Sequence, residues 1–164
     1  MKRWLRTAVI LAMCLAAGLA LRAFALGTVR ILGASMNDTL LSGDVVLVTR
    51  WDRASVDYCD VVECRFPGRG ETYVKRVIGL PGDEIRFSGG ALVRNGERVG
   101  EAYVSSPTDD YAVTLGEDQY LLLGDNRAQS YDSRMSDIGP VGASDILGHA
   151  RLVLWPLGRL GWVK

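Results

Sequence analysis

Histidine and lysine are scarce in this chain of 164 residues: His149 stands alone, and the lysines are Lys2, Lys75 and Lys164. A serine–histidine triad therefore has one candidate imidazole, at the start of an apolar stretch that reads as a core strand. Lys75 is the one lysine inside the folded chain, and lysine, unlike arginine, gives up its proton readily once desolvated. Excess charge is missing too, since 19 basic and 19 acidic side chains cancel. No net positive field exists to draw in phosphate backbones, so nucleic acid is not an expected partner. Cysteine is limited to Cys14, Cys59 and Cys64, an odd number that argues against a disulfide framework. If 59–64 is extended, its two thiols start about 16 Å apart, beyond a bridge that needs Cα atoms within about 7 Å. They read as packing thiols. A single histidine and no close Cys/His cluster disfavour zinc, and no metal or cofactor is expected. No internal repeat or low-complexity linker interrupts the chain. Without its apolar N-terminus about 140 residues remain, enough for one domain but not two.

What is present begins with charge and grease. Lys2, Arg3 and Arg6 precede an apolar run from Ala8 to Leu21. That run of about 14 residues rises about 21 Å, short of a hydrocarbon core of roughly 30 Å. Apolar character resumes from Ala23 to Leu26, giving about 19 residues if Arg22 snorkels to the headgroups, which is long enough. The basic cluster would hold the N-terminus in the cytoplasm and place the rest outside. A removable signal peptide, with Ala23-Phe24-Ala25 as its small-x-small cleavage site, fits the same residues. Both readings export the globular part of the chain.

From residue 28 onward, short apolar stretches alternate with turn signals and no long stretch has helical periodicity, which predicts an all-β fold. The expected strands are Val45 to Arg50, Val61 to Phe66, Thr72 to Ile78, Glu84 to Phe87, Ala91 to Arg94, Gln119 to Leu123 and His149 to Trp155. Pro81-Gly82 has type II turn chemistry, and Asn95-Gly96 between Val93 and Val99 signals a type I′ hairpin.

Three segments carry polar residues that a plain β domain does not need: GASMNDTL from Gly33, YVKRVIGLPGD from Tyr73 and GDNRAQSYDSR from Gly124. The third has the composition of a solvated loop as well as of a site. In the second, alternation puts Tyr73, Lys75 and Val77 on one face and Thr72, Val74, Arg76 and Ile78 on the other. Lys75 is then a snorkelling surface lysine or, if buried on an apolar face, a base; with an ordinary pKa of about 10.4 it needs that burial to be neutral near pH 7. Ser35 follows Gly33-Ala34, small residues that allow a tight turn and bring its amide close to a bound carbonyl.

Together these segments resemble the type I signal peptidases of bacteria. The match is Ser35-Met36-Asn37-Asp38-Thr39-Leu40 to the family's S-M-x-P-T-L, then Gly43-Asp44-Val45-Val46 and Tyr73 through Asp83. It continues through Gly124-Asp125-Asn126-Arg127, Ser130-x-Asp132-Ser133-Arg134 and Trp155-Pro156-Leu157, in the family's order. Asp38 replaces the family's proline, and Gly33 stands where some members carry a hydroxyl that completes the oxyanion hole.

The resemblance implies an antiparallel β-sheet catalytic domain behind one N-terminal transmembrane helix. Residues 1–6 would be cytoplasmic, 7–26 the uncleaved anchor and 27–164 the extracytoplasmic protease domain, single-pass in the bacterial cytoplasmic membrane. It implies that Ser35 is the nucleophile, Lys75 the general base and Ser130 the residue that orients the lysine. Arg76, Asp125, Asp132 and Arg134 would support the loops, and Met36 would face the substrate. Partners would be the lipid bilayer and preproteins with small residues before the cut, with no cofactor. A pilin or conjugation maturation peptidase with the same dyad, and a catalytically dead membrane-tethered assembly protein, are the alternatives. The self-cleaving repressors also use a serine/lysine dyad, but this N-terminus is wrong for DNA recognition.

Overall fold

The computed structural model describes residues 2–164, with the side chains at 2 and 20–24 outside the description. Helix α1 (Lys2–Phe24) opens the chain, and only Ala25 separates it from the first strand, β1 (Leu26–Arg30). The helix stops two residues short of the expected boundary at 26 because Leu26 is already paired with Thr49. Among the described residues, no helix is long and apolar enough to cross a membrane. Residues 3–19, whose side chains are described, make about 25 Å of helix, less than a hydrocarbon core of roughly 30 Å. The Arg22 side chain, expected to snorkel, and those of Ala23 and Phe24 lie outside the described residues.

Eleven further strands complete the chain: β2 (Val45–Thr49), β3 (Val61–Arg65), β4 (Thr72–Gly79), β5 (Glu84–Ser88), β6 (Ala91–Arg94), β7 (Glu97–Val99), β8 (Tyr111–Thr114), β9 (Gln119–Leu123), β10 (Val141–Gly142), β11 (Ile146–Trp155) and β12 (Gly161–Trp162). Among the described residues they form two antiparallel sheets. The larger has eight strands in the order β1-β2-β11-β3-β4-β9-β10, with β12 paired to β11, and the smaller runs β7-β6-β5-β8. The β6–β7 hairpin turns on Asn95 and Gly96, with φ of 54° and 83°. That double positive φ is what a type I′ turn requires, and glycine meets it without a Cβ clash.

Alternation sorts the core. Val46, Val61 and Val74 pack with Ile31, Met36 and Leu40 on one side of the larger sheet. Val62, Cys64, Phe66, Val77 and Leu122 form the cluster on the other. The smaller sheet has no separate core: its Ile85, Phe87 and Leu92 pack against Ile78, Leu121 and Leu123 of the larger sheet. This shared cluster fixes β4 and β9, the two strands that border the polar segments, to the smaller sheet as well as the larger. Cys64 is fully buried, and burial pushes its thiol up to about 12. Cys14, Cys59 and Cys64 are all free thiols.

Candidate active site

The loop joining β1 to β2 carries Ser35, and its apolar neighbours seat it. Ile31, Met36 and Leu40 are sunk in the core, each 6% exposed or less, so the serine between them is held at the surface of a packed layer. Burying side chains of this size stabilises by roughly 2 kcal/mol apiece. Two bonds dock the loop onto the segment after β9: the Asn126 amide donates to the Ser35 carbonyl at 3.0 Å, and Asn126 Nδ2 to that of Ala34 at 3.1 Å.

Lys75 lies in β4, flanked by β3 through its pairing with Val62 and by β9 through its neighbour Arg76. The side chain is buried against the sheet face, with only 2% of the residue exposed. Lys75 Nζ donates to Ser35 Oγ at 2.7 Å and to Ser130 Oγ at 3.2 Å. Desolvation disfavours its charged form and lowers its pKa to about 8, against the opposing pull of Asp132. The surface-lysine alternative is thereby excluded by burial.

Arg76, one residue on, projects from the opposite face. Its Nε and Nη2 grip Asp125 Oδ1 and Oδ2 at 2.8 and 2.7 Å, a bidentate pair with both side chains almost wholly buried. Burial works to lower the Arg76 pKa, but the bonds and charge of Asp125 outweigh it and raise the value. Thr39 Oγ1 also donates to Asp125 Oδ2, at 2.5 Å, tying the serine loop to the same carboxylate.

The polar segment after β9 is a buried hydrogen-bonded loop and not a solvated one. Asp132 is 0% exposed. Its carboxylate takes the Gly124 amide at 3.0 Å and both Nε and Nη2 of Arg134, at 2.9 and 3.0 Å. Burial pushes the Asp132 carboxyl up, yet Arg134, Ser130 and the Gly124 amide together hold it below the usual range. Gly124 has a steric duty: a Cβ there would overlap both Ser130 Oγ and the Ser35 carbonyl.

The resemblance-derived residues thus meet in one place. Ser35, Lys75 and Ser130 form a contiguous polar contact. Arg76 with Asp125 and Asp132 with Arg134 form the two ion pairs behind it, and Met36 is buried while still lining the adjacent cleft. That cleft, of about 470 Å³, is bounded by Val29, Ile31, Ser35, Met36, Val74 and Lys75. Sequence reasoning missed Glu101 and Thr108, which hold the buried Arg127 beside this loop. Nothing local marks them, because an acid paired to an arginine 26 positions away leaves no sequence pattern.

His149 is elsewhere in the bonding network. It is fully buried on β11, with Asp52 Oδ1 3.3 Å from Nδ1 and Asp60 Oδ2 3.2 Å from Nε2. Neither carboxylate lies on the line of a hydrogen bond to the ring. Ser35 Oγ has Lys75 as its partner, so no serine–histidine pair forms. Among the described residues no group of three or more His, Cys, Asp or Glu is placed to hold a metal ion.

Known proteins are similar to this chain in sequence and in fold. The family of signal peptidases, peptidase S26, matches residues 1–155. Signal peptidase I of Leptolyngbya laminosa is 41% identical over 97 residues, covering 58% of this chain and 47% of that protein. The chain thus spans about half the length of that relative. Signal peptidase I U of Bacillus subtilis (strain 168) is 31% identical over 179 residues, 99% of this chain and 95% of that protein. The crystal structure of a signal peptidase I from Enterococcus faecalis V583 superposes with a TM-score of 0.53 at 28% identity, covering 57% of this chain and 95% of that one. The chain belongs to the signal peptidase family, peptidase S26.

Proposed function

We propose that this protein is a signal peptidase I: a serine endopeptidase, anchored in the bacterial cytoplasmic membrane, that removes signal peptides from exported preproteins. The observation that carries the reading is the 2.7 Å contact between Lys75 Nζ and Ser35 Oγ, made by an amine whose burial lowers its pKa to about 8.

In the neutral form Lys75 accepts the Ser35 proton as Ser35 Oγ attacks the scissile carbonyl. Ser130 Oγ, 3.2 Å from Nζ, aims the amine. The Ser35 backbone N–H donates to the oxyanion, and Gly33 brings no hydroxyl to join it. The protonated lysine then gives its proton to the leaving amine, and Lys75, neutral again, takes a proton from the water that releases the acyl-enzyme. Arg76 with Asp125, and Asp132 with Arg134, hold the two loops in register without touching the reacting atoms. The substrate lies extended in the cleft beside β1 and β4, where Val29, Ile31, Met36 and Val74 leave room for small, Ala-like side chains.

The anchor is α1. Its 23 residues make about 35 Å of helix, enough for a hydrocarbon core of roughly 30 Å once residues 20–24 are counted. Trp4, Leu5, Val9, Ile10, Leu11, Met13, Leu15 and Leu19 are each more than half exposed, a surface suited to lipid and costly in water. Arg3 and Arg6 place the N-terminus in the cytoplasm and residues 27–164 outside. Cleavage of a detergent-solubilised Ala-x-Ala preprotein tests the assignment: the wild type cuts and Ser35→Ala does not. Full activity in Ser35→Ala overturns it.

A further inference from the structure

Beyond the residues that touch the proposed dyad, one buried carboxylate links the smaller sheet to the loop that carries Ser130. Glu101 lies in the connection between β7 and β8, its side chain 8% exposed, facing the 0% exposed side chain of Arg127 at 2.5 Å. Arg127 is the first residue of a short 3-10 turn, Arg127–Gln129, that delivers the chain directly to Ser130. Every nitrogen of its guanidinium is engaged. Nη1 donates to Thr108 Oγ1 at 2.7 Å, and Nε to the Gly124 carbonyl at 2.9 Å, while the group sits 5.3 Å over the Phe87 ring. Ser106 Oγ accepts the Ala128 amide at 3.2 Å, and Arg134 Nη2 donates to the Arg127 carbonyl at 2.8 Å. Glu101 has a second reach: it accepts from Tyr103 at 3.2 Å, and the Tyr103 ring lies 4.1 Å beneath the Arg76 guanidinium that grips Asp125.

We propose that Glu101 is a positioning residue for catalysis: through Arg127, and through Tyr103 and Arg76 to Asp125, it braces the first turn of the Gly124–Arg134 loop, so that the β7–β8 connection of the smaller sheet sets where Ser130 meets Lys75. The inference rests on the proposed Ser35/Lys75 chemistry. Three partners on the 101–108 connection hold one turn, where a loop needing only solubility would leave it free. A buried guanidinium that loses its carboxylate draws in water or moves. Either response displaces Ser130 and rehydrates the Lys75 amine, which restores its charged form and raises its pKa.

The test is Glu101→Gln, nearly isosteric and still able to accept a hydrogen bond, with Ser106→Ala and Thr108→Val as milder lesions of the same brace. Steady-state cleavage of an Ala-x-Ala preprotein is measured across pH 6 to 10, with thermal unfolding in parallel. The expected result is a kcat lower by on the order of tenfold with KM nearly unchanged, and an alkaline shift in the midpoint of the kcat profile. Glu101→Asp, which keeps the charge, should recover part of both. A lower Tm with kcat and midpoint at wild-type values overturns the inference, because a merely structural brace moves stability alone. Should Glu101→Gln fail to fold, the two milder variants decide by the same criteria. Ser35→Ala and Lys75→Ala are run alongside. If they retain activity the proposed function itself fails; if they are silent and the brace variants match wild type, only this inference fails.

Discussion

Arg76 grips Asp125 through two parallel bonds of 2.8 and 2.7 Å on the face of β4 opposite Lys75. Both groups are buried, so removing one leaves the other charged and unpaired. Asp125→Asn and Arg76→Met should each destabilise the protein by roughly 3–5 kcal/mol, read by urea denaturation. A loss below about 1 kcal/mol, the value of an exposed pair, contradicts the buried geometry.

Gly124 offers a lesion aimed at the site itself. An added methyl group overlaps Ser130 Oγ and the Ser35 carbonyl, and relief requires the two loops to part. Gly124→Ala should lower kcat on the order of 10²-fold, as a misplacement of about 1 Å can do, while circular dichroism stays native. Wild-type kcat in this variant contradicts the contact.

Burial of Lys75 has a consequence for stability. Its folded pKa is about 8, whereas the unfolded chain keeps the proton up to about 10.4. Between these values the unfolded state binds more protons, so folding stability gains with rising pH. Relative to Lys75→Met, the wild type should gain roughly 3 kcal/mol from pH 7 to 11, most of it between about 8 and 10.4. A pH-independent difference means the amine is solvated.

The N-terminal helix leads directly into β1, which lines the cleft through Val29. N-terminal sequencing of the protein purified from membranes should return the residues before Ala23, as an uncleaved anchor requires. Leu26 at the N-terminus identifies Ala23-Phe24-Ala25 as a cleavage site and rules out a permanent anchor.

The strands with continuous apolar runs are legible in the sequence. β2, β3, β4, β5, β6 and β9 all begin at the residue expected from the sequence, β5 by its alternation and the others by their apolar content. β8 is not, because Tyr111–Thr114 alternates half-buried and exposed residues and takes its order from pairing with β5. β12 is two residues long and exists by pairing with β11. β11 starts at Ile146 and not at His149, since Gly148 between them breaks the apolar run, while pairing with β3 continues across a register shift between Ile146 and Gly148. At the site, the segments around Ser35, Lys75 and Ser130 stand out by composition and by resemblance. Their convergence across 40 and 55 positions is a property of the sheet order. Composition alone favours a solvated loop at 124–134, and burial of Asp125 and Asp132 reverses that. Glu101 was invisible because one acid among many carries no mark of which arginine it meets.

The most direct measurement is the pH dependence of preprotein cleavage by the wild type, Ser35→Ala and Lys75→Arg from pH 6 to 10. A Ser35/Lys75 dyad requires both variants to be silent and the wild-type kcat to rise about tenfold from pH 7 to 9, as a base titrating near 8 demands. Activity retained by Lys75→Arg, or a wild-type rate flat across that range, contradicts the dyad.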